Sequence, residues 1–186
     1  MTPKFFTKAP TLYDIALGLS TIPRWNGRTI LDRVGMRWSV LQHTLACMAY
    51  AARDTAEVQW YIGVHDCEEM LSGDTPKPFK TREQSYQGDM IREEIIRGLG
   101  MPKARTGVVE IIKRVDEDVR CAEACTLLHP GELIRVPGYQ NGFRIEAADQ
   151  VWGLLDIPVR TAIELYVDKM EQLADDSTVK ALRRLV

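Results

Sequence analysis

Apolar residues return at intervals of three and four positions over most of this chain, which is the spacing of one face of an α-helix. The pattern predicts helices over residues 38–52, 58–70, 81–99, 106–128, 143–155 and 158–174. No stretch alternates apolar and polar residues for long enough to indicate a strand. We therefore predict an all-α fold.

Glycine and proline mark the ends of the predicted helices. Gly73 and Pro76 close the second one, because glycine frees the backbone for a turn and proline lacks the amide hydrogen that a helix needs. The proline- and glycine-rich segment 129–142 is predicted to be a loop, which could fold over a site or simply connect two helices. The closing segment KALRRLV is interpreted as a basic tail for the surface or for a subunit contact.

Size and charge restrict the class of protein. A length of 186 residues, 45% of them hydrophobic, suits a single domain over residues 1–186. The formal net charge of -2 gives no reason to expect a nucleic-acid partner. The sequence shows neither an apolar run long enough to cross a bilayer nor a signal peptide, so we expect no membrane partner and a cytoplasmic location.

The cysteines are interpreted as small reduced core residues rather than as zinc ligands. They are Cys47, Cys67, Cys121 and Cys125. The last two are four residues apart, which places them on one helical face without forming the CxxC spacing of zinc or redox sites.

The segment HDCEEMLSGDTPKPFK, residues 65–80, concentrates ionisable groups at the end of a predicted helix. His65 and Asp66 are adjacent, and an imidazole with a carboxylate suits Zn, Mn, Fe, Co or Ni. Glu69 lies over the same helical face one turn later. Asp74 follows the helix end, where a loop can return it to the same place. The sequence therefore predicts a divalent metal centre with two further carboxylates beside it.

The remaining ligands must come from other helices. The chain has three histidines, and His43 lies in the middle of the first predicted core helix, where an unpaired polar ring would be costly. Its combination with His65 and Asp66 favours a metal ligand over a core histidine that bonds to a backbone carbonyl. A fourth ligand is expected in IIKRVDEDVRCAE, where Asp116 and Asp118 both fall within an apolar periodicity and spacing alone does not separate them.

This order of groups resembles the HD-domain metal-dependent phosphohydrolases, with histidine, histidine-aspartate and aspartate on successive helices. The fuller likeness is to five-prime deoxynucleotidases and short phage deoxynucleotide triphosphohydrolases. It is carried by PRWNGRT (23–29), WSVLQHTLA (38–46), HDCEEMLSGDTPKPFK (65–80) and IKRVDEDVRCAE (112–123). In that branch the last metal aspartate follows a lysine by three residues and precedes a glutamate by seven. Asp116, with Lys113 and Glu123, fits that frame, whereas Asp118 does not.

The resemblance implies a single-domain HD helical bundle and a role for each matching residue. The metal, expected to be Co, Zn or Mn before Mg, would be held by His43, His65, Asp66 and Asp116. Glu69 and Asp74 would form an acid–base pair, Glu69 orienting or deprotonating the attacking water and Asp74 assisting at the leaving oxygen. Arg24 and Lys80 would contact phosphate, and Trp25 would line the sugar or base pocket.

The roles of two further residues in the matched motifs are less clearly defined by the resemblance. Lys113, one turn before Asp116, could reach phosphate or lay its stem along the helix. Gln42 stands where many bacterial members carry a glutamate before the first histidine, which puts a carboxylate partner for that histidine in doubt.

We expect an enzyme that removes phosphate from a deoxynucleotide, which is its small-molecule partner. If the protein is phage-encoded, we expect it to act in the cytoplasm of the host. The likeness to phage proteins and the cations Arg28, Lys77 and Arg82 favour a dNTP of the dATP type, cut to deoxynucleoside and triphosphate. The alternatives are a five-prime deoxynucleotidase acting on dNMPs, a non-catalytic nucleotide sensor, and a cyclic-nucleotide or alarmone phosphodiesterase. A homo-oligomer is also expected.

Overall fold

The computed structural model describes residues 4–29, 31, 37–75, 79–128 and 144–185. Within these ranges the chain forms nine α-helices and no strand, which confirms the all-α prediction. The helices are α1 (Leu12–Thr21), α2 (Val40–Tyr50), α3 (Ala56–Gly63), α4 (Glu69–Ser72), α5 (Arg82–Gly98), α6 (Thr106–Leu127), α7 (Ile145–Trp152), α8 (Val159–Asp175) and α9 (Ser177–Arg183). A 3-10 turn, Arg24–Gly27, follows α1.

One hydrophobic core takes side chains from all the longer helices, and α2 runs through its middle. This helix packs against α1, α3, α6, α7 and α8, and every residue from Val40 to Met48 is buried. A polar side chain on such a helix has no access to water and must find its partners inside the protein. His43, at the centre of α2, is fully buried and is therefore the first side chain whose partners need an explanation.

Two helices were not predicted. The first is α1, which begins with a capping box between Thr11 and Asp14 and buries Ile15 and Leu19 on one face. The second is α9, whose residues 180–183 overlap the segment interpreted as a basic tail. Val179, which directly precedes that segment, is fully buried, whereas Lys180, Ala181 and residues 183–185 are exposed, as expected for a surface segment.

The helix predicted over residues 58–70 is wrong as a single element, because the chain leaves α-helical geometry after Gly63 and resumes it only in α4. Side chains bond to two carbonyl groups at this end of α3. The Tyr166 hydroxyl donates to the Gly63 carbonyl at 2.9 Å, and the His65 ring bonds through Nδ1 to the Ile62 carbonyl at 2.7 Å. The residues after Gly63 therefore form turns, and His65 and Asp66 lie between helices rather than on one.

Gly63 is also the place where α3 and α8 approach most closely. A Cβ atom at this position would lie 2.2 Å from Met170 Sδ, so no larger residue fits without a shift of the neighbouring side chain. This contact and the Tyr166 hydrogen bond anchor the residues that directly precede His65.

No helix in the described part of the chain is long and apolar enough to span a bilayer. The predicted loop 129–142 lies outside the described residues.

A candidate metal centre

The structure brings the four expected metal ligands together from three parts of the chain. His43 comes from α2, His65 and Asp66 from the turns between α3 and α4, and Asp116 from α6. His43 Nε2 lies 3.3 Å from Asp116 Oδ1 and 3.7 Å from Asp66 Oδ2. The other nitrogen–oxygen pair, His65 Nε2 and Asp66 Oδ2, is separated by 3.2 Å. Four potential ligand atoms therefore surround one small volume.

Hydrogen bonds turn the Nε2 atom of each histidine toward that volume. His43 bonds through Nδ1 to Glu123 Oε1 at 2.7 Å, and His65 bonds through Nδ1 to the Ile62 carbonyl at 2.7 Å. Both partners are oxygen acceptors, so each Nδ1 carries the hydrogen and each Nε2 is left for a cation. His65 Nε2 is buried and makes no well-aligned hydrogen bond, although Asp66 Oδ2 lies 3.2 Å away.

The separations fit a metal ion. Bonds of about 2.1 Å to nitrogen and oxygen place neighbouring ligands about 3.0 Å apart in an octahedron and about 3.4 Å apart in a tetrahedron. The observed separations of 3.2, 3.3 and 3.7 Å fall around these values. Two imidazoles with two carboxylates are a donor set that suits Zn, Mn, Fe, Co or Ni. These three separations are compatible with ligands of one divalent ion.

Cys47 joins the same cluster. It lies one helical turn after His43 on α2, and its Sγ atom is 3.5 Å from His43 Nε2. The ligand atoms of His43, Cys47 and His65 all lie within 4.8 Å of one another, and together these residues could hold a metal ion. The interpretation of this cysteine as a core residue is correct for its burial and incomplete for its surroundings.

Glu123 is the functional residue that sequence reasoning used only as a spacing marker. It is fully buried on α6, and its Oε1 accepts hydrogen bonds from His43 Nδ1 and from Trp38 Nε1, each at 2.7 Å. Burial raises the pKa of Glu123, but His43 and Arg24 outweigh this and hold the pKa below its usual value. The buried carboxylate is therefore ionised and supports the histidine.

Gln42, in contrast, has a structural role. It closes a capping box with Ser39 at the start of α2 and donates to the Leu154 carbonyl at 3.0 Å. The carboxylate that the sequence lacks at position 42 is supplied by Glu123 from another helix. The doubt about a carboxylate partner for His43 is resolved by tertiary packing.

Arg24 reaches into the centre of the cluster from a strained turn. Trp25 and Asn26 both adopt left-handed backbone angles, with φ of 58° and 52°, which residues other than glycine rarely do. The buried Arg24 guanidinium lies 3.5 Å from Asp74 Oδ1 and 3.9 Å from both Asp66 and Asp116. It is the cation that balances this acidic site in the described residues.

The Arg24 guanidinium does not lie on the lone-pair axis of His43 Nε2, where a metal ion would bind. Arg24 Nη2 lies 3.2 Å from His43 Nε2 and 3.3 Å from Nδ1. A donor on the lone-pair axis of Nε2 would be much nearer to Nε2 than to Nδ1, because the axis points away from the ring. Arg24 therefore lies beside the imidazole and leaves the axis of Nε2 open.

The two carboxylates expected to handle protons are both close to the cluster. Glu69, the first residue of α4, is buried, and its Oε2 has no hydrogen-bond partner. Burial and the charge of Asp66 raise the pKa of Glu69, while Arg24 opposes this. Asp74 is returned toward the site by Gly73, whose φ of 73° suits glycine, and its side chain pairs with Arg24.

The carboxylates of Asp66 and Asp116 have lowered pKa values. Burial raises both, but His65 and Arg24 lower the pKa of Asp66. His43, His65 and Arg24 lower that of Asp116. Both groups are therefore ionised at neutral pH and ready to accept a cation.

Asp116 and Asp118 are separated by their partners. Asp116 faces His43, whereas Asp118 accepts a hydrogen bond from Tyr50 at 3.1 Å and lies 3.9 Å from Arg144 Nε. Two residues along a helix differ by about 200° around its axis, so only one of the pair can face a given point.

The residues expected to contact the substrate differ in how exposed they are. Trp25 is partly buried against Ala124 and Leu128, and its Nε1 donates to Glu123 at 3.3 Å. Lys80 is partly exposed and lies 3.9 Å from Glu68 Oε1. Lys113 is exposed on α6, one turn before Asp116.

Glu68, the neighbour of Glu69 in the sequence, is buried rather than solvated. It is 1% exposed and makes a two-fold hydrogen-bonded pair with Arg92 of α5. This pair joins α5 to the turn that carries Asp66, and Lys80 is attracted to the same carboxylate.

No protein-family model and no curated protein matches this chain.

Proposed function

We propose that the chain is a metal-dependent deoxynucleotide phosphohydrolase. The observation that carries the proposal is the convergence of His43, His65, Asp66 and Asp116 on one volume, with Arg24 and two further carboxylates at its edge. Hydrolysis of a phosphate ester needs a nucleophile at neutral pH, a cationic contact for the phosphoryl oxygens and groups that move protons. The cluster contains residues suited to each of these tasks.

A divalent cation held by these ligands would lower the pKa of water and offer positive charge to a phosphoryl oxygen. Glu123 keeps the His43 ring in one orientation and tautomer, so Nε2 stays available. His65 is oriented in the same way by the Ile62 carbonyl. Two rigid imidazoles then define the position of the reacting centre before any substrate arrives.

Glu69 is the residue best placed to take a proton from the attacking water. Its raised pKa comes from burial and from the charge of Asp66, and positive charge added to the site would lower that pKa by favouring the ionised carboxylate. Asp74 sits against Arg24 and is the candidate for assisting at the leaving oxygen. The resemblance assigns these two roles to Glu69 and Asp74 respectively. The proximity of both carboxylates to the candidate ligands supports the assignment.

Arg24 is the candidate for the first phosphate contact, since its guanidinium is buried among the ligands and carries a fixed charge. The preference for a triphosphate depends on Arg28, Lys77 and Arg82. Arg28 and Arg82 are exposed, and Lys77 lies outside the described residues. We propose a dNTP of the dATP type as substrate, with release of deoxynucleoside and intact triphosphate.

The test is product analysis by chromatography. The protein is incubated with each dNMP and each dNTP in turn, in the presence of Co²⁺, Mn²⁺, Zn²⁺ or Mg²⁺. Deoxynucleoside together with intact triphosphate from one dNTP is the expected result and names the base. Glu69→Gln should abolish the turnover, whereas Glu110→Gln, an exposed glutamate on α6, should leave it unchanged.

Two results would contradict the proposal in different ways. Deoxynucleoside released only from dNMPs would make the protein a five-prime deoxynucleotidase. Nucleotide binding without turnover under all four metals would favour a sensor built on the same ligands.

A further inference from the structure

A cysteine sulfur lies close to His43 Nε2, and the resemblance to deoxynucleotide phosphohydrolases gives this sulfur no role. Cys47 Sγ lies 3.5 Å from His43 Nε2 and is fully buried. On α2 the two residues are four positions apart, so both side chains project from the same face. The position is fixed by a helix that is buried along almost its whole length.

The separation has the value that two ligands of one ion would show. With bonds of about 2.1 Å to an imidazole nitrogen and about 2.3 Å to a thiolate, a 3.5 Å separation corresponds to an angle of about 105° at the ion. This is close to the tetrahedral angle. Asp116 Oδ1 and Asp66 Oδ2 lie 3.3 and 3.7 Å from the same nitrogen, so an ion bound by Nε2 and Sγ would have both carboxylates nearby.

A second, independent observation points to the same volume. His65 Nε2 is buried on a side chain only 7% exposed and makes no well-aligned hydrogen bond, although Asp66 Oδ2 lies 3.2 Å away. His43, Cys47 and His65 each offer a ligand atom within 4.8 Å of the other two, so one ion can serve all three residues. A cation bound between the two histidines and the cysteine would give His65 Nε2 a well-aligned partner.

We propose that the Cys47 sulfur is a ligand of the cation held by His43 and His65, which makes the centre selective for thiophilic divalent ions such as Zn²⁺ and Co²⁺ over Mg²⁺. The inference rests on the metal site of the proposed function but not on the reaction. On binding, the S–H bond breaks, the sulfur–metal bond forms, and the proton leaves to solvent. The soft sulfur adds affinity for borderline ions and very little for the hard Mg²⁺.

The experiment is a Co²⁺ titration of the full chain followed by absorption spectroscopy. Visible d–d bands report that cobalt is bound, and a near-ultraviolet sulfur-to-cobalt charge-transfer band reports a thiolate ligand. The wild-type protein should show both. Cys47→Ser should lose the charge-transfer band, keep the d–d bands and bind Zn²⁺ at least about tenfold more weakly, the lower end of what losses around metal sites cost.

Cys121→Ser is the matched control, because Cys121 is equally buried and its Sγ lies 3.9 Å from Glu117 rather than beside a histidine. This variant should retain both bands. Where Cys47→Ser fails to fold, X-ray absorption on the Zn²⁺-loaded wild-type protein decides the question, since a Zn–S shell at about 2.3 Å requires no variant.

The outcomes separate this inference from the proposed function. Cobalt d–d bands without a charge-transfer band in the wild-type protein would overturn the Cys47 ligand and leave the His/Asp centre in place. The absence of d–d bands altogether would remove the metal centre itself. A charge-transfer band that survives in Cys47→Ser but is lost in Cys121→Ser would make Cys121 the sulfur ligand and would also overturn the inference.

Discussion

Glu123 Oε1 accepts a hydrogen bond from His43 Nδ1 at 2.7 Å, and both side chains are fully buried. The glutamate belongs to α6 and the histidine to α2, so the bond joins the two helices that contribute the deepest part of the site. Because the carboxylate accepts a hydrogen bond from Nδ1, the opposite nitrogen, Nε2, is the one that lies near Asp66 and Asp116. The position of one carboxylate therefore decides which way the central imidazole presents its lone pair.

Replacement of this carboxylate should weaken the metal centre. Glu123→Gln keeps the size of the side chain but removes the charge that holds the His43 ring, so we expect about 10- to 100-fold weaker Co²⁺ or Zn²⁺ binding. The measurement is the dissociation constant from a spectroscopic titration. Glu110→Gln, on an exposed face of the same helix, should bind as the wild type does. Equal binding by all three proteins would show that the His43 orientation is set by other contacts.

Substitution of the two aspartates of α6 should affect metal binding differently. Asp116→Asn removes a charged ligand atom 3.3 Å from His43 Nε2 and should abolish or strongly weaken metal binding. Asp118→Asn changes only the partner of Tyr50 and Arg144, so it should bind metal normally and lose about 1 kcal/mol of stability. Metal titration and denaturant unfolding of the two variants check this prediction. If Asp118→Asn lost the metal and Asp116→Asn retained it, the ligand assignment would be reversed.

Removal of Arg24 should separate metal binding from turnover. Its guanidinium lies 3.9 Å from both Asp66 and Asp116, and a charge at this distance opposes the arrival of a second cation. Arg24→Met should therefore bind Co²⁺ about tenfold more tightly while hydrolysis is lost, because the first phosphate contact is gone. Titration and product analysis of the same preparation measure the two effects.

Arg28→Met is the control for that variant, because Arg28 is exposed and belongs to the same part of the chain. It should leave metal affinity unchanged. Weaker metal binding in Arg24→Met would mean that the arginine holds the ligands in place and that this contribution exceeds its charge repulsion.

Glu69 should make the metal-free protein less stable as the pH rises. Burial and Asp66 raise its pKa in the folded state, so between the unfolded and the folded pKa values the folded protein holds a proton that the unfolded protein has released. The unfolded state then binds fewer protons, and stability falls with pH in this range. Glu69→Gln removes that penalty and should unfold at a temperature about 2–4 °C higher than the wild type at pH 7 in a chelator, for a gain of about 1 kcal/mol.

The same variant should show little advantage at pH 4, where Glu69 is protonated in both states of the wild type. Melting temperatures at several pH values, with Glu110→Gln as the exposed control, measure the difference directly. A constant difference between Glu69→Gln and wild type over the whole range would place the effect in packing instead of ionisation.

The sequence was sufficient for the longest helices and for several of the groups that meet at the site, but not for α1, α9 or the contact of Glu123 with His43. Apolar spacing predicted α5, α6 and α8 to within one or two residues, because each of these helices buries one continuous face. The adjacency of His65 and Asp66 placed two ligands together whatever the fold. α1 carried a readable signal in Thr11 and Asp14, since a capping box can be recognised without any tertiary information.

Only the tertiary structure decided which side chains complete the site. The end of α3 depends on Tyr166, which lies about a hundred residues further along the chain and takes the Gly63 carbonyl. The partner of His43 is Glu123 and not residue 42, and Cys47 is both a core residue and a neighbour of His43 in the candidate metal centre. Local sequence fixes backbone geometry through contacts three and four residues apart, whereas a buried polar group takes whichever partner the packing of distant helices brings within hydrogen-bond distance.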